Sequence, residues 1–299
     1  MTKAFEFKNL VKTYPDFRLG PLNLDLTPGI VLGFVGPNGS GKSTTMHCLV
    51  GLVRSDSGSM EVFGRENDLN HPAWKLDIGY VGDVHVFYEN WSGGKNLQFL
   101  AQFYPNWSHD FAAKLAKRLD LPLKKKAKEL STGNRAKLAI VAALAHAPKL
   151  LILDEPTAGL DPVARAELQD VLFELMADGE RAIFYSTHIL PEISRLADEL
   201  AFLQNGQVVL RTAKDDLTDK WRKITFRLSR NDLTFESVVS LQREGNDHQV
   251  ISSNFDATMR QLHDLGVENV QHSRLSVDEI AVQILKGNHN QEAQHVETH

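Results

Sequence analysis

Nine residues, Gly36-Pro-Asn-Gly-Ser-Gly-Lys-Ser-Thr44, constrain this chain more than any other segment. They fit the pattern G-x-x-x-x-G-K-[ST], and their flanks fit as well. Ile30 to Val35 is a near-continuous apolar run, the mark of a strand covered on both faces, and a helix is expected from about Lys42 to Val50. Glycines at these spacings let the backbone curl, so that its N–H groups and the positive end of the following helix can surround a phosphate. Lys42 then reaches the β and γ oxygens, and Ser43 a magnesium ion. Gly36, Pro37, Asn38, Gly39, Ser40, Gly41, Lys42, Ser43 and Thr44 are therefore the candidate nucleotide-binding residues.

A second buried strand, Leu150 to Leu153, ends in Asp154-Glu155. An acid at the exit of such a strand can reach the metal, directly or through water, which makes Asp154 the magnesium partner. Glu155 is the candidate general base, a carboxylate to orient and polarise an attacking water. Two acids at a strand end are usually solvated, and the phosphate loop ahead of them turns the reading toward chemistry. His188 follows a third apolar strand, Ala182 to Thr187, and is placed to contact the γ-phosphate.

The rest of the chain sorts around these pieces. Alternating apolar residues in Ala4 to Tyr14 and at Leu22, Leu24 and Leu26 predict half-buried strands. From about residue 72 to 147 the pattern turns helical, with helices expected at Asn96 to Tyr104, Asp110 to Leu119 and Arg135 to Ala147. A further helix is expected over Val163 to Ala177, another from about Pro191, and a hairpin at Leu200 to Leu210 around Asn205-Gly206. After Trp221 the strand-like runs Ile224 to Leu228, His248 to Ser252 and Val267 to His272 and the helix Phe255 to Leu265 predict a separate small domain. Ser276 with Glu279 opens a last helix through Ile284, and a disordered tail is expected over 288–299. The organisation is thus 1–220, with a helical subdomain at about 83–147, then 221–287, then the tail.

Composition removes some classes of function. Lysine and arginine (33) nearly balance aspartate and glutamate (38), so the net charge of −5 gives no bulk attraction for nucleic acid, and no direct nucleic-acid binding is expected. The single cysteine, Cys48, cannot form an internal disulfide and reads as a small core residue, consistent with a reducing compartment. No window is long and apolar enough for a membrane span. Lys124 to Lys128 reads as a solvated face.

Taken in order, the motifs from Ala4 to Leu217 resemble the ABC ATPase family. The resemblance implies an α/β fold: a P-loop NTPase core with an N-terminal antiparallel β subdomain and an inserted helical subdomain, here followed by a small C-terminal α+β domain. It implies ATP and Mg2+ as ligands. Leu130-Ser-Thr-Gly-Asn134 is similar to the family signature, so Ser131, Thr132, Gly133 and Asn134 would meet the γ-phosphate held by the opposite subunit. Tyr14 matches the adenine-stacking aromatic, with a core aromatic as the alternative. Asp161, in Gly159-Leu-Asp161, matches the loop that communicates across the dimer, and His188 matches the switch histidine. Two departures stand out: Gly82-Asp83 where the family usually has glutamine, which makes Asp83 a metal-site candidate, and Thr132 and Asn134 in place of glycine and glutamine in the signature.

The implied function is the ATP-hydrolysing motor of a transporter, with a lean to export. Its expected partners are a second nucleotide-binding subunit, a homodimer or alternatively a heterodimer, and separate membrane-spanning subunits. The expected location is cytoplasmic, peripheral to the inner face of the cell membrane. The segment Val84 to Asn96, with Val86, Phe87, Tyr88 and Trp91, resembles the region where such motors receive a helix of the membrane subunit; core packing is the alternative. A soluble ABC ATPase acting on ribosomes or DNA normally has a second such domain or long coiled-coil insertions, and neither is seen. A non-hydrolysing regulator is disfavoured by intact Glu155 and His188.

Overall fold

The computed structural model describes residues 2–66, 72–229 and 234–296, with side chains described as far as Lys286. By its contacts the chain divides into two compact units: Met1–Ala197 with Leu203–Val209, and Asp198–Phe202 with Leu210–His299.

In the first unit, β1 (Phe5–Tyr14) pairs antiparallel with β2 (Phe17–Leu26), Phe5 opposite Leu26 and Tyr14 opposite Phe17. β3 (Val31–Val35), buried at every residue, leads into α1 (Lys42–Leu49). β4 (Ser57–Val62) and the short β5 (Arg65–Glu66) complete a sheet ordered β2-β1-β4-β5. Alternation buries Phe5 and Phe7 of β1, a register shift between Phe7 and Leu10 brings Leu10 inside as well, and Phe5 packs 5.0 Å from Phe184 in the core. β4 and β5 lie mostly at the surface, so no apolar period announces them.

Next come β6 (Ile78–Val81), α2 (Gly93–Leu100), α3 (His109–Arg118) and α4 (Thr132–Leu144). β7 (Leu150–Asp154), α5 (Pro162–Met176), β8 (Ala182–Thr187) and α6 (Leu190–Ser194) follow. Local chemistry sets the helix starts. The hydroxyls of Ser92, Ser108 and Ser131 cap α2, α3 and α4, accepting from the backbone N–H of Lys95, Phe111 and Asn134. For that reason α2 and α4 begin three residues ahead of the positions expected from hydrophobic period alone, and α2 gives way to a 3-10 turn at Ala101–Phe103.

β9 (Glu199–Gln204) and β10 (Gln207–Ala213) form the expected hairpin; Asn205 and Gly206 both have positive φ, as a tight turn between twisted strands requires. The larger sheet is ordered β10-β9-β3-β8-β7-β6, and β3, β8, β7 and β6 are mutually parallel. The phosphate loop, the Asp154-Glu155 pair and His188 all leave the carboxyl ends of adjacent parallel strands, where open α/β sheets bind ligands. Val35 is level with Thr187, and Asp154 with Ser186.

The second unit holds α7 (Lys214–Lys220), β11 (Arg222–Arg227), β12 (Val238–Glu244), β13 (Asp247–Ser252), α8 (Phe255–Asp264), β14 (Val270–Arg274) and α9 (Val277–Val296). Its sheet is antiparallel, ordered β12-β13-β11-β14, over a core of Ile224, Phe226, Val250 and Leu262. β12 is largely exposed and carried no sequence signal. The unit begins ahead of the expected boundary at 221, because α7 packs on α9. The expected disordered tail over 288–299 is helical as far as Val296, where Gln, Glu and Ala are good helix formers, while 297–299 lie outside the described residues.

Candidate functional site

The loop from Gly36 to Gly41 is shaped at its two ends by close approaches that leave no room for a side chain on either terminal glycine. A Cβ on Gly36 would lie 2.3 Å from the Leu203 carbonyl oxygen, and one on Gly41, at φ 109°, 2.8 Å from the Phe17 ring and from Leu19. Backbone bonds tie the loop down: Ser40 N–H donates to Pro37 O at 3.2 Å, and Gly206 N–H of the hairpin turn donates to Ser40 O at 3.0 Å. Thr45 anchors the start of α1 by donating to Gly41 O at 2.9 Å. Lys42 is almost completely buried and donates to Gly36 O at 2.8 Å and to Pro37 O at 3.2 Å, so its ammonium sits across the concave side of the loop.

The same ammonium is 3.5 Å from Glu155 Oε1. The other carboxylate oxygen, Oε2, is 2.9 Å from His188 Nδ1. Glu155 thus bridges the loop lysine and the strand-end histidine. Its φ of 49° is unusual for a residue with a side chain; Glu155 N–H is held there by Ser186 O at 3.3 Å and Ser186 Oγ at 3.2 Å.

Asp154 is fully buried. Its Oδ1 accepts from Ser186 Oγ at 2.5 Å, and Oδ2 is buried with no hydrogen-bond partner. A buried carboxylate oxygen left in this state is one that a cation would satisfy. The chemistry of the donors fits magnesium: Asp154, the exposed Asp83 and the hydroxyl of Ser43 are all hard oxygen ligands. Asp83 and Asp154 do come together, offering carboxylate oxygens within 4.8 Å of each other and of a ring nitrogen of His47.

Ser186 and His47 escaped the sequence reading. The signal for Ser186 is a hydroxyl two residues before His188 on an otherwise apolar buried strand. For His47 it is spacing, one helical turn beyond Ser43 and so on the same face of α1. Tyr14 stands at the end of β1, 37% exposed, with Lys12 Nζ 5.7 Å from its ring centre. An exposed ring at the edge, opposite Phe17 whose own ring touches the Gly41 position, suits stacking better than core packing.

Ser131 and Thr132 are exposed at the start of α4. Gly133 packs so closely that a Cβ would lie 2.5 Å from Gly159 O, and the Thr132 methyl faces Gly159. Asp161 caps α5, its Oδ1 accepting from Val163 N–H at 3.0 Å and Ala164 N–H at 2.9 Å; these bonds hold its carboxyl below the usual aspartate range. Buried Glu192 on α6 accepts from the Thr157 hydroxyl and pairs with Arg165 at 2.9 Å, joining the segment after Glu155 to the helix after His188. Cys48 is a core residue: burial pushes its thiol up to about 11, away from nucleophilic use. Lys124, Lys125, Lys126 and Lys128 are exposed.

Val84, Val86 and Tyr88 are exposed, Val86 at 84%. Val84 and Val86 line a cavity of about 330 Å³ together with Trp74, Phe87 and Leu100 among others. Tyr88 stacks on Trp91 at 4.3 Å, and both meet Phe99 edge-on. Trp91 is thus half-buried in a small aromatic cluster with Tyr88 and Phe99, while Val84 and Val86 are left exposed. Among the described residues no helix is long and apolar enough to cross a membrane.

Comparison with known proteins identifies the family. The family described as ABC transporter matches residues 19–158, and an AAA domain family matches 126–195. The bacitracin transport ATP-binding protein BcrA of Bacillus licheniformis is 33% identical over 77% of this chain and 76% of its own length. The lantibiotic transport ATP-binding protein SrtF of Streptococcus pyogenes is 35% identical over 70% of this chain and 91% of its own. A solved ATP-binding subunit of an ABC transporter superposes with a TM-score of 0.66 at 28% identity, covering 72% of this chain and 92% of that one. A dimeric ATP-binding cassette in a post-hydrolysis state shares the fold at a TM-score of 0.64 and 23% identity, over 70% and 98%. The chain belongs to the ABC transporter family, as one of its ATP-binding, ATP-hydrolysing subunits.

Proposed function

We propose that this subunit is the motor of an exporter and works as a pair of nucleotide-binding domains beneath separate membrane-spanning subunits, on the inner face of the membrane. The observation that carries the reading is the bridge made by Glu155, between Lys42 of the phosphate loop and His188, beside the buried Asp154. The export direction is supported by a relative, 31% identical, named the Nod factor export ATP-binding protein I of Cupriavidus metallidurans.

Gly36 to Thr44 surround the phosphates with backbone N–H groups, and Tyr14 stacks on the base. Ser43, Asp154 and Asp83 would hold Mg2+, which when bound neutralises charge on the β and γ phosphates. Glu155 takes the proton of the attacking water as a hydrogen-bonded base, and His188 fixes the carboxylate so that one oxygen faces that water. Ser131 and Gly133 of a second copy close the site from the opposite side with a hydroxyl and a helix N-terminus, both suited to an anion. Asp161 lies in the loop that carries the state of one site to the other. A homodimer is the simplest assembly, since one chain contains both halves of the site.

The exposed Val84 and Val86 beside the cavity suit an apolar helix end of the membrane subunit. The test is hydrolysis and size. Wild type should turn over ATP with magnesium as a dimer in exchange with monomer. Glu155→Gln should lose at least ~100-fold in turnover, the upper part of the range for a positioned base, and accumulate as an ATP-dependent dimer. A Glu155→Gln protein that hydrolyses at the wild-type rate removes Glu155 as the base.

A further inference from the structure

His47 has no place in the chemistry above, yet it lies where a ligand would. It sits on α1 one turn beyond Ser43, its ring meeting Tyr80 edge-on with centres 6.4 Å apart. One of its ring nitrogens, an oxygen of Asp83 and an oxygen of Asp154 are all within 4.8 Å of one another, the span of donors around a single ion. The three come from separate parts of the fold: α1, the loop after β6, and the end of β7. The acids are not merely a surface cluster, because Asp154 is fully buried, with Oδ1 taken by Ser186 and Oδ2 without a partner.

From this convergence we infer that His47, Asp83 and Asp154 form a divalent-metal site that fills before nucleotide arrives and prefers Mn2+ or a similar first-row transition ion to Mg2+. The imidazole sets the preference. Mg2+ favours an octahedron of oxygens and gives up water reluctantly, whereas one nitrogen with two carboxylates suits ions further along the transition series. The ion would hold the exposed Asp83 in place beside buried Asp154, setting the metal face of the nucleotide site in advance. The inference rests on the assignment of Asp154 to that face, and nucleotide binding is therefore measured separately.

The probe is Mn2+ alone, followed by electron paramagnetic resonance on the full chain without nucleotide. Wild type is expected to bind one Mn2+ per chain, with an affinity at least ~10-fold above that for Mg2+ in competition. His47→Ala should lose at least ~10-fold in Mn2+ affinity, the lower end of what even a residue one shell out from a metal costs, with a smaller loss for Mg2+. His47→Gln, polar and of similar reach, repeats the test should the alanine variant fold poorly, and thermal unfolding in chelator reports folding for both. If wild type takes up Mn2+ only with ATP, or if both variants bind Mn2+ as wild type does, the inference is overturned while the nucleotide site stands. If a fluorescent ATP analogue fails to bind wild type in chelator and with either metal, the nucleotide reading fails, and the Mn2+ titration still decides the metal site by itself.

Discussion

Ser186 joins the two carboxylates, Asp154 and Glu155, proposed to carry hydrolysis. Its hydroxyl donates to Asp154 Oδ1 and accepts from Glu155 N–H, so one small side chain fixes both the buried acid and the backbone of the base. Truncation to alanine leaves a fully buried carboxylate oxygen without a donor. The expected cost is about 1–3 kcal/mol in unfolding free energy, the penalty of an unsatisfied buried group. Turnover should fall further than stability suggests, because Glu155 must hold its oxygens between Lys42 and His188. Denaturant titration with steady-state ATP hydrolysis on Ser186→Ala checks this, and unchanged turnover would show that Ser186 is packing alone. Ser186→Thr retains the hydroxyl and is expected to keep most of the activity.

At the scale of elements, the signature turn and the loop after Glu155 are locked within one chain. Gly133 approaches Gly159 O too closely for any side chain, and the Thr132 methyl covers the same glycine. This accounts for Thr132 at a position where the family usually has glycine: its side chain faces Gly159, at a site where its added bulk is accommodated. Gly133→Ala must push α4 away from Gly159, at a cost of about 1–3 kcal/mol, the usual range for overpacking. It should lower ATP turnover while leaving single-chain nucleotide affinity near wild type, a pairing read by comparing hydrolysis with binding of a fluorescent nucleotide. A loss of binding as large as the loss of turnover would contradict it. The sequence made much of this legible. Local patterns with a fixed spacing, Gly36 to Thr44, Asp154-Glu155 and the Asn205-Gly206 turn, marked the strand ends and the loop between them. What escaped was whatever depends on pairing across the fold: Ser186 reaching Asp154, His47 reaching Asp83, and the exposed strands β4 and β12, whose register is set by neighbours rather than by their own periodicity. The caps at Ser92 and Ser131 were legible as residue types, and reading them as helix starts would have moved α2 and α4 to their observed positions.

At the scale of the whole molecule, the arrangement proposed for hydrolysis needs two chains, each giving its phosphate loop to one site and its signature to the other. That division can be tested without seeing the complex. Lys42→Ala removes the buried ammonium from the loop. Ser131→Asp keeps a good helix cap, aspartate being as effective there as serine, but sets a negative charge where the γ-phosphate of a second chain would sit. Each variant alone should be inactive, since every site in its homodimer carries one defect. In an equal mixture, mixed dimers have one site with both defects and one with none, so ATP hydrolysis should reappear above the level of either variant alone. Were the phosphate loop and Ser131 to act on the same nucleotide within one chain, every site in the mixture would keep a defect and no activity would return. Dimer exchange must be allowed before the assay, and dilution then supplies a second reading, because activity that depends on a partner's Ser131 falls as the chains separate.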